Sequence, residues 1–264
     1  MAYDKGPEPS ILLRLPREIR VMIYEYLLDM DSTRNIVIHN RPKSHKSKMG
    51  GSQRRSAYHV QERSLHRPLY QTTYGYNGDK ELHPAIMAVN RKLRQEVAHY
   101  LYGMHSFHFG SDIEAVVPFL RDLTSTTQSI IKEITVHKSA PCNAVAVGDA
   151  AWPSICKFLG TLPRLRKLTI MVEGGQPRDP WDGPKELSVS DIRLLYATRN
   201  ECLEWARLLA DVSAVEEVEI VADMKHMAPP TTSSALIYAA FSASIETTLV
   251  EFLRTDLGIP AVTT

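Results

Sequence analysis

The side chains in this sequence that could do chemistry are few and scattered. Cys142, Cys156 and Cys202 are its three cysteines, and none lies at the short spacing that holds zinc. His105 and His108 stand three residues apart at the start of an expected strand. Strand alternation sends such a pair to opposite faces, so a shared metal is not expected. Cys156, His137 and Asp149 supply the types of a thiol nucleophile, a base and an orienting acid. Cys156 sits beside Ile155 and Phe158 on an expected helix, where a cysteine reads as a small buried hydrophobe, and nothing in the spacing brings the three together. A Gly-rich phosphate loop, a dinucleotide glycine fingerprint, a His-Glu-x-x-His helix and a Gly-x-Ser-x-Gly elbow are all missing from the sequence. No catalytic residue, metal or cofactor is expected.

The other chemical feature is charge. From Arg41 to Arg67 there are eight Lys or Arg against one acid, Glu62, in a chain of net charge +1, so the remainder is net acidic. Three readings fit this basic segment. It binds phosphates, it is a nuclear-import signal carried by Lys43, Lys46, Lys48, Arg54 and Arg55, or it is a solvated, disordered insert. The third is preferred. Nucleic-acid binding is not expected, because the charges are dispersed and aromatic residues for base stacking are sparse before Tyr70.

Stepping outward to the elements, residues 1–10 read as a flexible lead. A helix is expected from Pro16, whose missing N–H costs nothing in a first turn, with Glu18 favourably placed on the dipole. Ile19, Met22, Ile23, Tyr26 and Leu27 form one apolar stripe on it. A loop over 29–34 leads to a strand around Ile36-Val37-Ile38. Residues 41–80 form the basic, disordered insert, with Tyr70, Tyr74 and Tyr76 docking back loosely. A second helix is expected from Pro84, apolar at Ile86, Val89, Leu93, Val97, Tyr100 and Leu101 and stopped by Gly103. Ser106 to Phe109 then reads as a short strand.

Beyond residue 113 a weak repeat appears. Phe119-Leu120-Arg121-Asp122-Leu123 precedes Ile131 to Val136; Phe158-Leu159-Gly160-Thr161-Leu162 precedes Leu165 to Ile170; Leu208-Leu209-Ala210-Asp211-Val212 precedes Val215 to Ile220. Each unit reads as helix end, turn and strand. Such alternation favours parallel strands with helices packed on them. Two descriptions fit: an irregular leucine-rich-repeat-like layer, and an ordinary α/β sheet sharing only helix–strand grammar. Residues 173–189 read as a recognition loop. Ser190 is expected to cap a helix running to about Ala210, and Ser233 or Ser234 a last helix through Leu253, ended by Gly258 and Pro260.

At 264 residues and 44% hydrophobic the chain can bury a real core. Three widely spaced cysteines fit a reducing compartment. No apolar run approaches the ~20 residues of a membrane span, and Met1 to Ser10 lack a signal-peptide core. A cytoplasmic or nuclear protein is expected.

Two segments carry a resemblance. Leu15-Pro16-Arg17-Glu18-Ile19-Arg20 with Ile23, Tyr24 and Leu27, then Asn90-Arg91-Lys92-Leu93-Arg94-Gln95-Glu96 with Leu101-Tyr102 and Phe107-His108-Phe109, resemble the F-box-like domain proteins of filamentous fungi. The resemblance covers about 45 residues. It implies a non-catalytic protein-interaction module, a substrate receptor of a cullin-type ubiquitin ligase. Its partners would be the ligase's small adaptor subunit, bound through Leu15, Pro16, Ile19, Ile23 and Leu27, and a target protein. The chain departs from the compact F-box by the strand and basic insert between its two signatures. The alternative is a self-contained α/β domain with another partner, in which the F-box-like helix is purely structural.

The expected fold is therefore α+β to α/β. An F-box-like segment (11–40 and 81–110, interrupted by the insert 41–80) precedes a helix–strand, leucine-rich-repeat-like region over 111–256 and a tail over 257–264.

Overall fold

A computed structural model describes residues 11–28, 35–42, 58–60, 70–76, 83–140, 151–178, 186–212 and 215–263. Its organising feature is a row of apolar side chains at strand positions. Ile36, Phe107, Ile134, Leu168, Val218 and Ala261 are successive neighbours across six parallel strands, and all are at most 2% exposed. The strands are β1 (Asn35–Pro42), β4 (Ser106–His108), β5 (Glu133–Lys138), β6 (Lys167–Pro177), β7 (Glu217–Met227) and β8 (Ala261–Val262). β3 (Tyr70–Tyr76) and β2 (Tyr58–Val60) extend the β1 side antiparallel, giving the order β2-β3-β1-β4-β5-β6-β7-β8. The protein is α/β, built on a curled sheet with six parallel strands.

From β4 to β8 sequence order is also spatial order. Right-handed crossovers in such a series place every connecting helix on the same face. That face is apolar. It takes up Val116, Phe119 and Leu120 of α4 (Val116–Asp122), Trp152, Ile155, Cys156 and Leu159 of α6 (Trp152–Leu159), Ile192 of α7 (Val189–Ala197) and Trp205 of α8 (Glu204–Arg207). α9 (Ser233–Ala243) and α10 (Thr248–Thr255) add Phe241, Leu249, Phe252 and Leu253. Trp152 Nε1 donates to Trp205 O at 3.1 Å, and Trp205 Nε1 to Cys202 O at 2.7 Å, so two buried indoles join neighbouring crossovers without an orphaned donor. No single helix among the described residues is long and apolar enough to cross a membrane.

Several expectations need correction. The segment 41–80 is not wholly disordered. Tyr70–Tyr76, rich in Tyr and Thr, suits a pleated surface and pairs with β1 along its whole length, from Ile36↔Tyr76 to Pro42↔Tyr70. Residues 43–57, 61–69 and 77–82 lie outside the described residues, as do the lead 1–10, the loop 29–34, Cys142 and Asp149. The helix expected from Pro84 is two elements. Pro84–Ala88 is a 3-10 turn, and α3 (Arg91–Met104) restarts where Asn90 Oδ1 accepts from Leu93 N at 2.9 Å. Gly103 does not stop α3 but lies buried within it.

The start of the expected recognition loop, Glu173–Pro177, continues β6; 179–185 lie outside the described residues. Ser188, not Ser190, caps α7 in a capping box with Asp191, and Thr232 caps α9. The helix expected to reach Ala210 ends at Ala197, before Arg199 at φ 55°. The expected last helix bends by 77° between α9 and α10. The tail 257–264 supplies β8, because Ile259 and Ala261 are apolar enough to be buried. The boundary expected near residue 110 is crossed by the sheet, since β4 pairs with β5.

One glycine is required by close approach. A Cβ on Gly160, which ends α6, would overlap the backbone carbonyl oxygen of Asp211. Gly160→Ala is therefore expected to destabilise the chain by about 1–3 kcal/mol, read as a lower denaturation midpoint by circular dichroism. An unchanged midpoint would show that the contact between the end of α6 and the β6–β7 connection yields freely there.

Candidate functional site

The helix α2 (Arg17–Leu27) opens after Pro16, which sits at the N-cap with φ −52°. Its inward face is Arg20, Tyr24 and, just past the helix, Leu28, at 7%, 1% and 0% exposure. This i, i+4, i+8 series begins with an arginine, and a buried guanidinium needs partners. Glu96 on α3 provides them. Arg20 Nε donates to Glu96 Oε2 at 2.9 Å and Nη2 to Oε1 at 2.8 Å, a bidentate pair. Arg20 Nη1 donates to Leu15 O at 2.7 Å, and Tyr24 O–H to Glu96 Oε2 at 2.8 Å. The Tyr24 and Tyr100 rings meet at 5.7 Å. The far end of α2 is held by His83 N–H on Leu27 O at 3.1 Å and by the buried His105 ring. Its Nε2 lies 3.2 Å from Leu28 O and its Nδ1 3.1 Å from Leu101 O.

The charges respond to this packing. Glu96 is held below its ordinary carboxylate value, first by the Arg20 hydrogen bond. Arg20 is raised by the same bond. Tyr24 is pushed up to about 12, first by burial and then by Glu96.

With polar groups turned inward, the apolar stripe of α2 turns outward. Ile19 is 42% exposed, Met22 62% and Tyr26 72%. Of the residues expected to bind a partner, Ile19 and Pro16 are exposed, while Leu15, Ile23 and Leu27 are half-buried. Met22 and Tyr26, on the stripe but not among those five residues, are its most exposed members. Arg20, Tyr24 and Glu96 were missed as positioning residues. The available signal was an arginine and a glutamate, one in each of the two signature segments.

The other chemical candidates do not converge. Cys156 is buried on the helix-covered face, and burial pushes its thiol up to about 12. His137 stands on the opposite face, with Nε2 3.0 Å from Asp223 Oδ2. His108 Nε2 contacts the Met171 sulfur at 3.2 Å, far in role from the structural His105. No group of three His, Cys, Asp or Glu among the described residues is arranged to hold a metal. A cleft of about 380 Å³ is lined by Arg199, Asn200, Glu201, Cys202, Ser234, Ile237 and Tyr238; Cys156, His137 and His108 are not among them.

A family model described as a domain of unknown function (DUF7730) covers residues 6–191, a span that includes both signature segments and ends within α7. No curated protein and no solved structure matches the chain.

The α2–α3 clasp has a pH window. Glu96, lowered in the fold, contributes stability that is complete above its ordinary 4.5 and lost as pH falls through the lowered value. Tyr24, raised, contributes stability complete below its ordinary 10.0 and lost as pH rises through about 12. Thermal unfolding followed across pH is expected to weaken at both ends. Glu96→Gln should flatten the acid limb relative to wild type and Tyr24→Phe the alkaline limb. Tyr24→Phe should also cost about 1–2 kcal/mol on the plateau. Parallel limbs in wild type and variants would disprove the assignment.

Proposed function

The chain belongs to the DUF7730 family, and we propose that it is a non-catalytic protein-interaction module whose α2 docks on the adaptor subunit of a cullin-type ubiquitin ligase. The observation that carries this reading is the inversion of α2. Arg20 and Tyr24 are inside, and Ile19, Met22 and Tyr26 are outside. Exposed apolar residues in a helical row are the anchors of helix-in-groove recognition. Fully covering each such side chain gains about 1.5–3 kcal/mol before the costs of association. Pro16 and Ile19 would enter the groove with Met22 and Tyr26, while Leu15, Ile23 and Leu27 would be covered at its rim. The region 111–256 would hold the target and raise its effective concentration near the conjugating enzyme. The role places the protein in the cytoplasm or nucleus. Half-burial of Leu15, Ile23 and Leu27 favours the second reading, in which α2 is structural and another surface binds another partner.

The test is co-purification with the adaptor, wild type beside Ile19→Asp/Met22→Asp, with circular dichroism on both. Wild type should retain the adaptor. The variant should stay folded, since neither residue is buried, and bind at least about tenfold more weakly, the equivalent of about 1.4 kcal/mol. A wild type that does not bind, or a variant that binds as well, would refute the docking role.

A further inference from the structure

β7 is longer than the strand that closes its outer side. It pairs with β6 along its whole length, from Lys167↔Glu217 to Pro177↔Met227. On the other side β8 pairs only at Val218 and Glu219, and among the described residues no strand pairs there beyond Glu219. The direction of the remaining backbone groups follows from period-two alternation. Glu217 N–H donates toward β6, to Arg166 O at 2.9 Å, and Val218 N–H donates outward, to Pro260 O at 2.9 Å. The register with β6 is unbroken, so Ala222, Met224 and His226 also turn their N–H and C=O groups outward. Ala222 N–H is met by the exposed Glu246 carboxylate at 2.9 Å. Met224, 38% exposed, and the exposed His226 complete a row of backbone donors and acceptors that is a template for another strand.

The side chains along this edge select the strand that fits. Asp223 and Lys225 flank Met224 with opposite charges. An antiparallel second copy of β7, set with Met224 opposite its own counterpart, brings Asp223 of each copy opposite Lys225 of the other. Opposite charges facing across strands favour pairing, and like charges oppose it. The other symmetric registers fail. Centring on Asp223 or Lys225 puts like charges face to face, and their backbone groups already bond to β6. Centring on Ala222 runs the added strand into β8. Centring on His226 leaves both charges without a counterpart. In the Met224 register the two methionines exchange backbone hydrogen bonds, and the Asp–Lys pairs fall at the non-hydrogen-bonded positions, where side chains are closest. Within one copy Lys225 Nζ already lies 2.8 Å from Asp223 Oδ2, so two copies close a ring of four alternating charges.

We propose that the outer edge of β7 is a homodimer interface, in which residues 221–227 of two copies pair antiparallel about Met224 and join the two sheets into one. Pro229 and Pro230 have no N–H to donate and end the strand before it reaches β8 of the second copy. The Glu246 contact covers the edge in the monomer and is exchanged for a backbone bond in the dimer. The contact is short, about 23 Å at about 3.3 Å per residue. It stands at the small end of specific interfaces, so a dissociation constant of about 10–100 μM is expected. The inference is independent of the docking role of α2 and uses none of its residues.

The experiment is sedimentation velocity of the full chain over about 1–200 μM, a range that brackets the expected constant. Wild type should shift from monomer to dimer as concentration rises. Met224→Pro removes an outward N–H and leaves the β6 ladder intact; it should keep its circular dichroism and sediment as a monomer throughout. Lys225→Asp and Asp223→Lys should each be monomeric, because each sets like charges opposite one another. Mixed in equal amounts these two should form a heterodimer, since every facing pair is then opposite in sign. Should Asp223→Lys fail to fold on losing the His137 contact at 3.0 Å, Met224→Pro and Lys225→Asp still decide the matter. Ile19→Asp/Met22→Asp should dimerise as wild type does. A dimer that survives Met224→Pro, a mixture of folded charge variants that stays monomeric, or loss of the dimer in the α2 variant would overturn the proposal. A monomeric wild type would also overturn it and leave Lys225 and Glu246 as guards of an unused edge.

Discussion

The Arg20–Glu96 pair is the constraint on which the amino-terminal half depends. It joins two residues 76 apart in sequence, on two helices, and its two further partners are a backbone carbonyl and a phenol. Arg20 reaches back to Leu15 O and so fixes the turn before α2; Tyr24 shares the Glu96 carboxylate one helical turn later. Breaking such a set on one side strands a part-buried charge, which costs more than the pair gains relative to an apolar replacement. The arrangement is thus better understood as fixing orientation than as supplying stability. With Arg20 inward, rotation of α2 about its axis is determined.

That rotation decides which residues meet water. An amphipathic helix is ordinarily placed with its apolar stripe on the core, and a chain free to choose would bury Ile19, Met22 and Tyr26. Here the ion pair and the Tyr24–Tyr100 contact occupy the inner position, and Leu28 ends the inward series. A helix read only as core or only as docking surface has one functional face. This one has two, a polar face turned to the core and an apolar face turned to solvent.

How much of this was legible in the sequence follows from what each signal measures. Period-two alternation marked Ile134, Val136, Leu168, Ile170, Val218 and Ile220, and the strands stand there, because burial on one face is a local property of a strand. The helix–strand grammar after residue 113 marked a parallel arrangement for the same reason. The rotation of α2 was not legible, since it depends on Glu96, which local patterning placed outside the apolar face of its own helix. The break at Asn90 was hidden by an apolar pattern that continues through Ile86 and Val89, although an Asn three residues before a buried Leu is a capping signal. β3 was obscured by basic neighbours, and β8 by its shortness and its place near the end of the sequence. Both are recruited by a sheet edge that is not in their own sequence.

The sheet also changes what the resemblance to a compact helical module can mean. β1 and β4 are parallel neighbours, with α3 in the connection between them and the β2–β3 pair added on the outer side. The segment carrying the second signature is therefore part of a strand–helix–strand unit of the parallel sheet, while the first signature, α2, precedes that unit. The apolar row from Ile36 to Ala261 passes through all six parallel strands without interruption. α3 is committed to the sheet through Leu93, Val97 and Leu101, which leaves α2 as the one helix of the signature pair with a large apolar surface to offer. Because Arg20, Tyr24 and Glu96 tie α2 to α3, and α3 shares one core with the sheet, the direction of the exposed stripe of α2 is set by the fold as a whole.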